Sequence, residues 1–246
     1  MDRGLYIAMT GAKQIMQAQA VNNQNISNAS TVGFRADAAS FASVPVYGPG
    51  YPTRVNAVAT DAGTNFATGV LTSTSNPLDI AINGKGFIAV RAADGSEAYT
   101  RAGDLHVTPA GDVMTGTGLP VLSETGPLNV PPSTTVTIGS DGTISTVPLG
   151  LSPAAQSQVD RIKLVNPPTQ SLQKADDGLL HLKSGGTAPT DETVTLSSGV
   201  LESSNVNAAQ SLVNMIELQR LYEFQIKSIN STDADEQSAE RMMLTS

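Results

Sequence analysis

The chain has 246 residues, a formal net charge of −8 and no cysteine, and only 4% of its residues are aromatic and 15% charged. Scattered basic residues in an acidic chain argue against a nucleic-acid partner, since neutralising phosphate needs clustered Lys and Arg, and the missing thiol excludes disulfides, thiolate metal sites and a cysteine nucleophile. So few large apolar groups cannot build one deep core, because burial stabilises by only about 25 cal/mol per Å², and long segments are expected to need a partner before they order.

The N-terminal run Leu5-Tyr6-Ile7-Ala8-Met9 follows Asp2 and Arg3 and is too short for the apolar stretch of about 7–15 residues in a cleaved secretory signal. The protein is therefore expected either to stay in the cytoplasm or to leave without cleavage. No run approaches the roughly 18 apolar residues of a membrane span. Residues 3–28 predict a helix. Leu5, Ala8 or Met9, Ala12, Ile15 or Met16, Gln19, Asn22 or Asn23, and Ile26 recur at alternating steps of three and four. That period suits a seam against another helix, and it is equally compatible with an amphipathic helix packed on its own domain. Asp2 is the expected N-cap, and Gly33 ends the segment.

Residues 34–74 are rich in Ala, Thr, Gly, Ser and Pro, with Pro45, Pro49 and Pro52 close together. They read as an extended connector. Turn dipeptides then multiply at Asn83-Gly84, Asp94-Gly95, Gly111-Asp112, Asp141-Gly142 and Asp177-Gly178. Between them lie short β-favouring runs: 78–82, 87–90, 98–101, 105–108, 121–122, 135–138, 162–165, 179–182 and 193–196. Residues 184–192 read as a loop. This spacing predicts an all-β barrel or sandwich over residues 75–200.

Residues 207–243 return to helical periodicity. Leu212, Met215, Gln219, Tyr222, Ile226 and Ile229 step by three and four, and Asn207 with Gln210 resembles a capping box. Each seam carries a glutamine, at 19 and 219, a polar group that penalises wrong registers. The expected fold class is α+β, mainly β, with a central all-β domain (75–200) flanked by coiled-coil-type helices at 1–33 and 201–246. Helices this short are marginal alone in water, so they must pair with each other, with the β domain or with other copies.

Signals for chemistry are weak. The two histidines, His106 and His181, sit in alternating β runs without converging ligands. Asp79 and Asp104 lie near strand ends and could form a glycosidase-like carboxylate pair, although aromatic residues to stack sugars are few. Gly84-Lys85-Gly86 is followed by a strand-like run rather than a helix, so a tight turn explains it better than a phosphate loop. The sequons at Asn25, Asn28 and Asn230 are short motifs common by chance. Asp233, Asp235, Glu236 and Glu240 read as a solvated helix face.

Four stretches resemble the axial proteins of the bacterial flagellum. They are Asn22 to Arg35 (NNQNISNASTVGFR), Asn76 to Phe87 (NPLDIAINGKGF), Tyr99 to Asp104 (YTRAGD) with the run on to Leu122, and Gly199 to Asn207 (GVLESSNVN) followed by Gln219 to Glu223. Gln24, Asn25 and Val32 depart from the usual N-terminal signature. The stretches occur in family order over most of the chain, and together they identify it as similar to the basal-body rod proteins. Its opening, Met1 to Ala12, and its length resemble a proximal-rod subunit, with a distal-rod subunit as the near alternative.

That resemblance implies a structural subunit and no enzyme, cofactor or metal. It implies partners among copies of itself, other rod proteins and the flagellar type III export apparatus, with no nucleic acid and no direct membrane span. It places the chain in the periplasmic rod of the basal body, exported uncleaved. The subunit-interface positions would be Leu5, Met9, Ala12, Ile15, Met16, Gln19 and Ile26 on the first helix and Leu212, Met215, Gln219, Tyr222, Ile226 and Ile229 on the last. A soluble β-domain binding protein or carbohydrate-active enzyme is the alternative from another class.

Overall fold

A computed structural model describes residues 4–47, 55–148, 156–175 and 177–244. The chain is α+β and mainly β, and it divides into two compact units. The first comprises Met1–Ala29, Asp37–Asn65 and Val206–Ser246; the second comprises Ser30–Ala36 and Phe66–Asn205.

The first unit holds helix α1 (Gly4–Ser27), strands β1 (Asp37–Pro45) and β2 (Val55–Thr64), and helix α2 (Ala208–Leu244). Both helices start and stop within a residue or two of the expected bounds. Asn207 caps α2, its Oδ1 accepting the Gln210 backbone N–H at 3.1 Å. The expected cap Asp2 lies outside the described residues, as do Pro49 and Pro52.

The segment read as a connector is the main correction. β1 and β2 form an antiparallel hairpin, from Asp37↔Thr64 to Pro45↔Val55, that packs on α1. The physical reason is legible afterwards. The ribbon is built from Ala, Ser, Thr and Val, and most of β1 is exposed on both faces. A strand without a buried face shows no alternation to read.

The second unit carries the remaining strands: β3 (Leu71–Ser73), β4 (Ile80–Asn83), β5 (Phe87–Arg91), β6 (Glu97–Thr100), β7 (Leu105–Val107), β8 (Val113–Thr115), β9 (Ser133–Ile138), β10 (Thr143–Pro148), β11 (Ser157–Arg161), β12 (Leu164–Val165), β13 (Leu172–Lys174), β14 (Leu180–Leu182), β15 (Thr195–Ser198) and β16 (Val200–Glu202). They form a five-stranded sheet in the order β12-β5-β6-β14-β13, a three-stranded sheet β11-β10-β9, and the pairs β15-β4, β16-β3 and β7-β8. Asp-x-x turns tie hairpins. Asp94 accepts the Ser96 N–H between β5 and β6, and Asp141 accepts the Thr143 N–H between β9 and β10. The Ser96 and Thr143 hydroxyls also donate, and these bonds hold both carboxyls below the usual Asp range.

The five-stranded sheet is buried on both faces. Ile88, Val90 and Ala98 point into one apolar cluster with Val121, Leu128, Ile144 and Leu164, while Phe87, Ala89 and Tyr99 point into another with Val165, Leu172 and Leu180. This is why 87–90 reads as an unbroken apolar run rather than an alternating one. Tyr99 is fully buried, and its hydroxyl donates to Glu97 and accepts the Ala188 N–H at 2.7 Å.

A cluster of buried charge lies where the chain enters and leaves this unit. Glu202, 1% exposed, contacts Arg35 Nη2 at 2.7 Å through Oε1 and accepts from Arg101 Nη1 at 2.9 Å through Oε2. Its Oε1 also accepts the Gly69 N–H, Arg35 donates to Ala67 O, and Arg101 donates to Gly84 O at 2.6 Å. Burial lowers the Arg101 pKa, as does Arg35, while Glu202 opposes the shift. Gly33, at φ +67°, donates to Glu202 O and packs so closely that a Cβ there would fall 2.3 Å from the Arg101 carbonyl carbon. Glu202→Gln preserves the shape but leaves two guanidinium groups facing a neutral amide. It should cost about 3–5 kcal/mol, measured as a fall in the denaturation midpoint of the β unit.

Candidate functional site

The two terminal helices run antiparallel. Asn22 Nδ2 of α1 donates to Ser211 O at the start of α2, and Gln225 Nε2, further along α2, donates to Ala8 O; both bonds are 2.9 Å. The buried residues of α1 are Ala8, Ala12, Ala18, Asn22 and Asn25, so most of its hidden face is small. At Gly11 a Cβ would lie 3.1 Å from the Gln225 amide, which shows how closely the helices approach. Side-chain amides fix the register. Asn25 donates to Asp37 O at 2.7 Å and accepts the Asp37 N–H at 2.9 Å, so its amide acts as one rung of strand and anchors β1.

The residues read as interface positions divide between two surfaces. Within the first unit Leu5, Ala12, Ile15, Gln19 and Ile26 are buried or partly buried, as are Met215, Tyr222, Ile226 and Ile229. Met9 and Met16 are 52% and 56% exposed, and Leu212 and Gln219 also face outward. The period of 3.6 residues in a straight helix places Ala8, Gly11, Ala12, Ile15 and Ala18 inward and turns the methionines out. Further large apolar groups stay open: Tyr6, Val213, Ile216, Leu221 and Phe224 are 49–67% exposed. On the ribbon, Phe41, Val44, Val55 and Val58 are 41–46% exposed. A two-stranded ribbon is marginal on its own, and exposed apolar groups gathered on one surface are, as a general rule, what proteins cover with a partner.

Helix α2 also outruns its partner. Through the Ala8–Gln225 bond, the described part of α1 reaches only to about the level of Ile229. Beyond it, Asp233, Asp235 and Glu240 are exposed, in line with a solvated face, and Met242 is 68% exposed.

His106 is exposed in β7, and His181 sits in β14 beside Asp177 at 3.2 Å. Among the described residues no group of three or more His, Asp or Glu could hold a metal ion. Gly84-Lys85-Gly86 is the β4–β5 turn. Asp79 and Asp104 do meet, as a single antiparallel bridge between their backbones. Yet Asp79 is only 8% exposed and its Oδ1 accepts from the Asn76 side chain in the local turn. Asp104 Oδ1 is buried without a hydrogen-bond partner.

Burial pushes the Asp104 carboxyl upward, helped by Asp79, while its own N–H, the Gly116 N–H and His106 pull it back. A carboxyl raised in the folded state supports the fold fully only below its unfolded value, and that support is lost as pH rises through the folded value. Asp104→Asn should therefore raise the melting temperature at pH 7 and leave it little changed at pH 3. Helix packing is tested separately. Ala12→Leu should overpack the helix pair at a cost of about 1–3 kcal/mol, whereas Met16→Ala should change monomer stability by less than about 0.5 kcal/mol, both read by chemical denaturation.

Residues 81–146 match the family model described as the flagellar hook protein FlgE/F/G D1 domain, and residues 197–242 match that of the flagellar basal body rod FlgEFG protein C-terminal. The chain is 40% identical over 249 residues, 99% of each chain, to the flagellar basal-body rod protein FlgF of Salmonella typhimurium and equally to that of Escherichia coli. It is 30% identical to the flagellar basal-body rod protein FlgG of Bacillus subtilis, over 95% of this chain and 96% of that one.

Proposed function

Given that the chain belongs to the flagellar basal-body rod family of FlgE, FlgF and FlgG, we propose that it is a structural subunit of the rod that polymerises through its terminal helices. The observation that carries the mechanism is the inverted use of the helix surfaces. The fully buried positions of α1 are alanines and asparagines, larger apolar groups such as Ile15, Met215 and Ile226 are half-buried, and Tyr6, Met9, Met16, Ile216 and Phe224 are left outside. Burying a Leu, Ile or Met side chain contributes roughly 1.5–3 kcal/mol. Those groups are in place to pay for ordering the helices once neighbouring copies cover them.

The higher identity to FlgF, 40% against 30% to the FlgG of Bacillus subtilis, supports the proximal-rod role over the distal one. The helix pair then acts as a coiled-coil-type assembly element, and the β unit provides the body of the subunit. Copies of the chain, other rod proteins and the flagellar export apparatus are its partners, and the periplasmic part of the basal body is its place. Folding of the ends and assembly are one event in this reading, because the uncovered stripes and the overhang of α2 are completed between molecules.

A strain lacking the chain should lose swimming, and its basal bodies should lack a complete rod in electron micrographs. Normal swimming in that strain would contradict a rod role. In dilute monomer, a protease should cut within residues 4–27 and 208–244 well before it cuts within 66–205. Equal protection of all three regions would argue against coupled folding and assembly.

A further inference from the structure

The first unit presents a groove of about 300 Å³ between α1, α2 and β1. Val21, Phe41, Leu218 and Leu221 give it apolar walls, Asp37 and Glu217 give it acidic character, and no basic residue lines it. Glu217 is exposed and has no ion-pair partner among the described residues. The occupant that fits is an apolar surface carrying one positive charge.

Such a surface exists elsewhere on the same unit. Tyr6, Met9, Lys13 and Met16 follow one another at steps of three, four and three along the outward side of α1, all exposed. Lys13 is the only Lys or Arg in Gly4–Ser27, and it too has no ion-pair partner among the described residues. Met9 and Met16 flank it. Their unbranched side chains adapt to irregular cavities. The spacing agrees as well. Met9 to Met16 and Asn214 to Leu221 each span seven residues, about 10 Å of helix.

Lys13 lies on the side of α1 away from Ala18, Asn22 and Asn25, which line the groove, because five residues at 100° each carry it about 140° round the helix from Ala18. One molecule therefore cannot fill its own groove.

We propose that the groove between α1, α2 and β1 receives the Met9–Lys13–Met16 stripe of a second copy, with Lys13 of one copy paired to Glu217 of the next. This rests on the rod reading and sharpens it. The contact is heterologous, joining two different patches, so it leaves a free groove and a free stripe at the ends and adds copies without closing a pair.

The test is a charge swap in the full chain, made in a strain deleted for the wild-type copy. Lys13→Glu and Glu217→Lys should each reduce the amount of the chain in purified basal bodies at least fivefold and shrink the swimming halo, and the double variant should recover most of both. Single variants that assemble normally, or a double variant no better than the worse single one, would overturn the pairing. A second readout uses the absence of native cysteine. Met16→Cys with Leu218→Cys in one chain should give an oxidation-dependent ladder of cross-linked copies from basal bodies, and neither single variant should. A dimer band alone, or no band, would also overturn the pairing. If the pairing fails while the wild-type chain still restores rods to the deletion strain, the rod reading stands. If the deletion strain forms rods without the chain, the rod reading itself fails.

Discussion

The structure depends on one unusual burial, the carboxylate of Glu202 held between the guanidinium groups of Arg35 and Arg101. Removing three charges from water is costly, and the mutual attraction offsets this only when most remaining polar atoms find partners. Here backbone groups from several segments supply part of that, the Gly69 N–H on Glu202, Ala67 O on Arg35, and Gly84 O on Arg101, while Arg35 Nε and Arg101 Nε stay buried without a hydrogen-bond partner. The three charged residues come from three distant parts of the chain, so the cluster works as a clasp with defined members. A hydrophobic contact could slide by a residue, whereas a two-pronged carboxylate between two planar forks cannot do so without stranding a charge.

The clasp fixes where the β unit begins and ends. Gly33 donates to Glu202 O, Asn205 donates to Phe34 O, and the Asn205 side chain accepts from Ala36. The segment arriving from α1 and the one departing to α2 are thus bonded side by side. Lys174 adds to this, donating to Arg35 O and sitting 3.8 Å over the Phe34 ring.

Within the helical unit the division of labour is by side-chain size. Small residues and amides take the fully buried positions of α1, with Asn22, Asn25 and Gln225 each bonded to backbone. A register set by directional bonds needs less apolar area, and Met9, Met16, Ile216 and Phe224 are left on the outward side. The same logic holds for the β1–β2 ribbon, anchored at one end by Asn25 and apolar on both exposed faces further along. A subunit built to be covered by its neighbours can leave such surfaces open, and one built to remain alone would have covered them itself.

The sequence alone determined the helix bounds, the N-cap at Asn207, the turn sites and four of the five strands of the buried sheet, all but β13, because each has a short-range signature: a 3.6-residue period, an Asx side chain two or three residues from its target, or an apolar run between turns. It also carried the stretches Asn22 to Arg35, Tyr99 to Asp104 and Gly199 to Asn207 that identify the family. Only the tertiary structure decided what those stretches do, because Arg35, Arg101 and Glu202 become a cluster through contacts up to 167 residues apart, and nothing local marks a charge as buried. The same holds for the hairpin at 37–64, whose exposed faces erase alternation, and for the outward turn of Met9 and Met16. A period of three and four cannot say which of two adjacent positions faces in until the partner helix is in place.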